Sequence, residues 1–230
     1  MSVFLALAMQ AAVPTKERGQ FFSAAERQRK MAEYADCVVK DRPGKSALIV
    51  LRQQWKENVA DRDLEKVIAS SCVPDLGTMI IMSRSILQFA LADALIRAKQ
   101  ISVPADLSLV GPLDHGDGEA RFRALIAKGK KASTAEKRAA MEAAAVTELS
   151  RFGECVVRGA PEQATVLLRT KVAGPAEMEA LRGLSPTFTS CLNKGQQVTF
   201  SRETLRGVVA YNYYRLASAA RSGTPQVAKQ

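Results

Sequence analysis

The chain has 230 residues, 47% of them apolar, 24% charged and only 6% aromatic, with a formal net charge of +10. That supports one sizeable core or two small ones, and the alanine-rich, aromatic-poor balance favours closely packed helices over a sandwich of strands. No run reaches the roughly 18 apolar residues of a membrane-spanning helix, and the positive charge is too thinly spread among acids to read as a nucleic-acid stripe.

Residues 1–12 open with a short apolar run, Val3 to Met9, and Ala6-Leu7-Ala8 has the small-x-small form of a cleavage site. This reads as a signal peptide that lacks the usual basic start. The alternative is an apolar segment docked on the fold. Ser23-Ala24-Ala25-Glu26 is a capping box that predicts a helix to about Lys40, with Met31, Tyr34, Ala35 and Val38 on its buried face. Pro43 stops it, and a second, strongly apolar helix is expected from Ser46 to Gln54, followed by a third from Asp61 to Ser70. Trp55, after the apolar run, suits either a rim position or core padding. Thr78 to Met82 aligns with Gln196 to Phe200, where Val198 and Phe200 alternate with polar residues. The expectation there is either a short two-stranded pairing, 78–82 with 196–200, or an extended connector without a ladder.

Ser83 and Ser201 precede the last helix of each half as N-caps, so Arg84 and Arg202 fall in matched first turns. There they can receive an anion or bond the carbonyls of a neighbouring turn. The second of these helices carries Tyr211, Tyr213 and Tyr214. Three tyrosines within four residues cannot share one helical face, so at least one hydroxyl is expected at solvent or a cleft. The other reading packs them at an interface with hydroxyls bonded to backbone. Between the halves, residues 101–132 read as an exposed linker with one short helix from Glu119 to Lys128. Asp114, His115 and Asp117 in that linker could bind a divalent cation or supply a base, but a polar loop is the plainer reading. A second capping box, Ser133 to Glu136, opens a longer helix through Arg158, with Met141, Ala145, Leu149, Phe152 and Val156 on its buried face.

One offset ties these pieces together. Cys37-Val38-Val39-Lys40 recurs as Cys155-Val156-Val157-Arg158, 118 positions on, and the same shift carries Pro43 to Pro161, Gly77 to Gly195, Ser83-Arg84 to Ser201-Arg202 and Arg97 to Arg215. Cys72 and Cys191 match with one residue of slippage. The fold class expected is all-α: two tandem copies of a three-to-four-helix unit, residues 21–100 and 133–222, related by a pseudo-twofold axis. Four cysteines permit three connectivities, and a repeated unit selects Cys37 with Cys72 and Cys155 with Cys191. Zinc is disfavoured, since there is no Cys-x-x-Cys spacing. Disulfides point to an oxidising compartment, periplasmic or secreted, with four buried thiols in a cytoplasmic protein as the alternative.

The repeated Cys-Val-Val-Lys/Arg helix end, second cysteine and Ser-Arg-initiated last helix resemble exported proteins of alphaproteobacteria such as sphingomonads. That resemblance implies export and duplication, attaches no activity and transfers no functional residue. No catalytic, cofactor or nucleic-acid motif stands out. Three classes of function follow: a non-catalytic envelope protein that binds a partner or small ligand; an enzyme using carboxylates alone, such as Asp93 near Glu154 or Glu203, or the 114–117 loop; and an electrostatic binder of nucleic acid or anionic polymer.

Overall fold

A computed structural model describes residues 22–52, 72, 84–103, 105–129, 132–193, 195 and 198–222. Among them run helices α1 (Ala24–Asp41), α2 (Pro43–Leu51), α3 (Arg84–Arg97), α4 (Gly118–Ala127), α5 (Thr134–Gly159), α6 (Pro161–Arg169), α7 (Pro175–Gly183), α8 (Ser185–Ser190) and α9 (Arg202–Ser222). The signal-like segment 1–12, Trp55, the expected helix 61–70 and the segment 78–82 lie outside the described residues.

The protein is all-helical over the described residues, and local chemistry explains where the helices begin. The Ser23 hydroxyl accepts from Glu26 N at 3.2 Å while the Glu26 carboxylate accepts from Ser23 N at 2.7 Å. Ser133 and Glu136 repeat both bonds at 3.2 and 2.8 Å. Each capped helix also ends alike, on a residue with φ/ψ of −140/61° at Arg42 and −147/63° at Ala160. A proline then occupies the first position of the next helix. The second helix therefore starts at Pro43, ahead of the expected Ser46, because a missing N–H costs nothing in a first turn.

Packing follows the same plan twice. Helices α1 and α2 touch each other and α3; α5 and α6 touch each other and α9; α3 and α9 then cross as the central pair. Gln88 on α3 donates to Ile49 O at 3.0 Å, and Arg206 on α9 donates to Leu167 O at 3.1 Å. Donors and acceptors in these two bonds are each 118 positions apart. At the crossing, Gly207 lies so near Phe89 that an added Cβ would sit 2.7 Å from Phe89 Cβ. Disulfides join Cys37 to Cys72 and Cys155 to Cys191, over separations of 35 and 36 residues. Each contributes about 4 kcal/mol by restricting the unfolded chain.

Several expectations need correcting. No strand occurs among the described residues, and 198–200 belong to no helix or ladder. The 101–132 linker is not simply exposed: Ile101 and Leu113 are buried in the core. Met141 faces solvent, because α5 meets the core only from Ala144 onward. In the short, apolar α2, Ile49 and Val50 are buried while Leu48 and Leu51 are exposed.

Candidate functional site

A cavity of about 370 Å³ opens where α1, α3 and α9 meet. Met31 and Ala32 of α1, Ile86, Phe89 and Ala90 of α3, Leu149 of α5, and Val172 make its wall largely apolar. Gly207 lines it too, and its lack of a side chain lets α9 approach Phe89. The polar contribution is Gln28, Ser85, Ser201 and Thr204, with the charged side chains of Asp93, Glu203 and Arg206.

Most of that charge is already matched. Arg206, buried to 2% exposure, grips Asp93 with two bonds of 3.0 Å, and Arg97 reaches the same carboxylate. The remaining three Arg206 N–H groups go to Leu167 O, Leu168 O and the Thr170 hydroxyl. Beyond it, wholly buried Glu177 accepts from Gln28 Nε2 at 2.8 Å, Ala173 N at 2.7 Å and Arg202 Nε at 2.8 Å. Asp36, Arg97, Asp93, Arg206, Glu177 and Arg202 thus alternate in sign along one chain of contacts from surface to core and out again. Such pairing is what lets ionised groups stay buried. Glu203 is the exception in the cavity wall: burial pushes its carboxyl up, opposed by the charge of Arg27.

A second polar cluster surrounds the linker. His115 Nε2 lies 2.7 Å from Glu154 and its Nδ1 2.9 Å from the Ser150 hydroxyl. Carboxylate, imidazole and hydroxyl are in the order a nucleophilic site would need. Ser150 cannot serve, however, because it is fully buried, donates to Asn212 Oδ1 at 3.2 Å and receives Arg215 Nη1 at 3.1 Å. The cluster is a clamp on the linker. Burial works against ionisation of Glu154, but His115, Arg158 and Leu113 N together hold its carboxyl below the ordinary value.

The structure decides between the readings open for the residues singled out in the sequence. Tyr211, Tyr213 and Tyr214 are all buried, since α9 is enclosed on every side from Arg206 to Ala217. The Tyr213 hydroxyl accepts from Ala105 N at 2.8 Å, and the Tyr211 ring packs 5.5 Å from Phe89 and under Arg215. Burial, eased only slightly by Arg215, pushes the Tyr211 hydroxyl up to about 12. Arg202 bonds Glu177 and the carbonyl of Gly174, the neighbouring-turn role. Arg84 begins α3, in the matched place. Residues 114–117 form a polar loop without helix or strand, with Asp114 and Asp117 exposed, while His115 is held in the clamp. Its neighbours look elsewhere, Asp114 to Gly116 N and Asp117 to Arg121, and no metal-binding group forms among the described residues. Asp93 and Glu203 share the cavity, while Glu154 belongs to the clamp. Glu177 and Arg206 were not nominated. The legible hint was Arg206 standing 118 positions after Gln88, a charged residue at the matched place.

Against this geometry, comparison with protein-family models, curated proteins and solved structures finds no match.

Proposed function

We propose that the protein is a non-catalytic binding protein of the cell envelope, periplasmic or secreted. In this reading it is built from two copies of one stapled helical unit, and the α1–α3–α9 cavity receives one small, largely apolar ligand. The observation that carries the reading is the cavity itself. Its volume falls at the lower end of the range for small-molecule sites, and its apolar wall would supply the binding energy. Duplication is supported by the matched caps, matched proline starts and the Gln88 and Arg206 bonds; export is supported by two disulfides. The buried cations work in internal pairs, which favours this reading over an electrostatic binder.

The test uses N-phenyl-1-naphthylamine, a neutral dye whose emission rises in apolar surroundings. Saturable enhancement is expected with the native protein, and its loss in Ala90→Phe, which fills the cavity while the helical circular dichroism is kept. An unenhanced signal, or one indifferent to Ala90→Phe, would refute a ligand site here.

A further inference from the structure

The linker shows how one of the two copies holds an extended segment of chain. Leu113 N donates to both oxygens of Glu154 at 3.1 and 3.2 Å. Arg158 donates to Val110 O at 3.0 Å and Gly111 O at 2.6 Å, and Arg215 to Asp114 O at 2.5 Å. Leu113 is buried to 3% exposure as the apolar anchor, and His115 sets a ring nitrogen on Glu154 two residues later. Most of these bonds go to main-chain atoms, so the grip reads an extended backbone rather than one sequence.

The 118-residue shift maps Glu154, Arg158 and Arg215 onto Asp36, Lys40 and Arg97. Those three side chains line a groove of about 410 Å³ beside Val39 and Pro43, the counterparts of Val157 and Pro161. Among the described residues no segment lies along it as 110–115 lies along its twin. The chemistry for a grip is in place. Arg97 bonds Asp36 through Oδ1 only, at 3.2 and 2.7 Å, which leaves Oδ2 for a peptide N–H. Arg97 spends three of its five N–H groups on Asp36 and Asp93, so two remain for a carbonyl. Lys40 is exposed at the place from which Arg158 reaches two carbonyls.

We propose that the α1–α3 groove is a docking site for an extended segment of a partner polypeptide, in which an apolar residue is followed two positions on by a side chain with an N–H donor. Asp36 receives the amide of the apolar residue and the N–H of the later side chain, as Glu154 meets Leu113 N and the His115 ring. Lys40 and Arg97 bind the carbonyls on either side. The inference rests on the duplication reading but not on a ligand in the cavity.

A fluorescein-labelled, end-blocked peptide with the linker's own sequence, Val110 to Gly116, serves as the probe. Anisotropy is expected to rise saturably, though weakly, because the free peptide lacks the effective concentration the tethered linker enjoys. Binding should fall at least tenfold in Asp36→Lys, in Lys40→Glu as a second variant should the first fail to fold, and for a peptide with aspartate in the Leu113 place. No saturable binding up to about 1 mM overturns the proposal. Equal binding by native protein and either variant also overturns it, since the peptide would then be exchanging with the linker at Glu154. Naphthylamine emission read on the same samples keeps the readings apart: a bound dye with no bound peptide sinks the groove alone.

Discussion

Glu177 offers the sharpest test of how the core is held. Its carboxylate is fully buried and meets donors that cannot turn away: Ala173 N at 2.7 Å and the Arg202 guanidinium at 2.6 Å, with Arg206 Nη1 at 3.6 Å. Glu177→Gln keeps the shape. Its one oxygen can still serve Ala173 and Arg202, while its new amide turns to Gln28, which can rotate to offer an oxygen. What disappears is the negative charge between two arginines. Breaking a buried pair this way costs about 3–5 kcal/mol. Arg206 keeps Asp93 and Arg202 is a quarter exposed, so the lower end, about 3 kcal/mol, is expected for Gln. Glu177→Ala also strands Ala173 N and leaves a void, and should reach about 5 kcal/mol. Since a domain holds only about 5–15 kcal/mol in total, the alanine variant should be close to unfolding. Urea denaturation at neutral pH under oxidising conditions measures both, and 0.5 M salt should change neither difference much, because buried charges are poorly screened. A loss below about 1 kcal/mol for Glu177→Gln would refute the anchoring role, being the worth of an exposed pair.

Replacing Cys155 and Cys191 together by serine should cost about 4 kcal/mol in the same assay; an unchanged urea midpoint would show that the bond does not constrain the unfolded chain. Gly153→Ala should cost about 1–3 kcal/mol or more, since overpacked contacts cost that much. Its Cβ would fall 2.2 Å from Asn212 Nδ2 and 2.7 Å from Val208 O, a backbone atom that moves only with α9. A melting temperature equal to the native value would mean that α5 and α9 separate freely. Burial, then the hydrogen bond and charge of Glu119, push Glu148 up to about 7 from 4.5, against the pull of Arg151. Ionising it therefore costs the folded state more than the unfolded chain, and stability should fall as pH rises between those values. Glu148→Gln should flatten that slope in melts across the window; identical slopes would refute it. Glu154 acts in the opposite sense, and its contribution should be lost as pH drops below the ordinary carboxyl value and through its own lowered one.

Much of the fold was legible because the signals were local. Ser23 with Glu26, and Ser133 with Glu136, needed only their own turn to declare a helix start, and the cysteine pairing needed only the repeat. What could not be read was which surfaces the helices cover for one another. Tyr211, Tyr213 and Tyr214 point in different directions, which on a half-exposed helix would put one in water. Only the enclosure of α9 by α3, α5 and α6 buries all three. The linker failed for a similar reason: glycines and prolines announced irregular backbone, but not that Glu154, Arg158 and Arg215 would bind that backbone. The cavity was only half visible. A seam between the proposed copies was the natural place for it, yet Phe89 and Gly207 carry no pattern that marks a void.

On the proposed duplication, those two residues also explain why a fused pair would hold a cavity on its seam where a symmetric dimer of one unit would not. Positions 89 and 207 are related by the 118-residue shift and face each other where α3 and α9 cross, so in identical copies a side chain there would meet its own counterpart. With identical residues, two phenylalanines would collide and two glycines would leave no apolar wall. Joining the copies in one chain lets the position be Phe on one side and Gly on the other. The same freedom replaces Gln88 by Arg206 and sets against it Asp93, whose own counterpart is Tyr211. An ion pair thus closes one side of the seam and an aromatic ring fills the other. In that reading, symmetry is broken where the cavity lies and kept in the caps, proline starts and disulfides that build each unit.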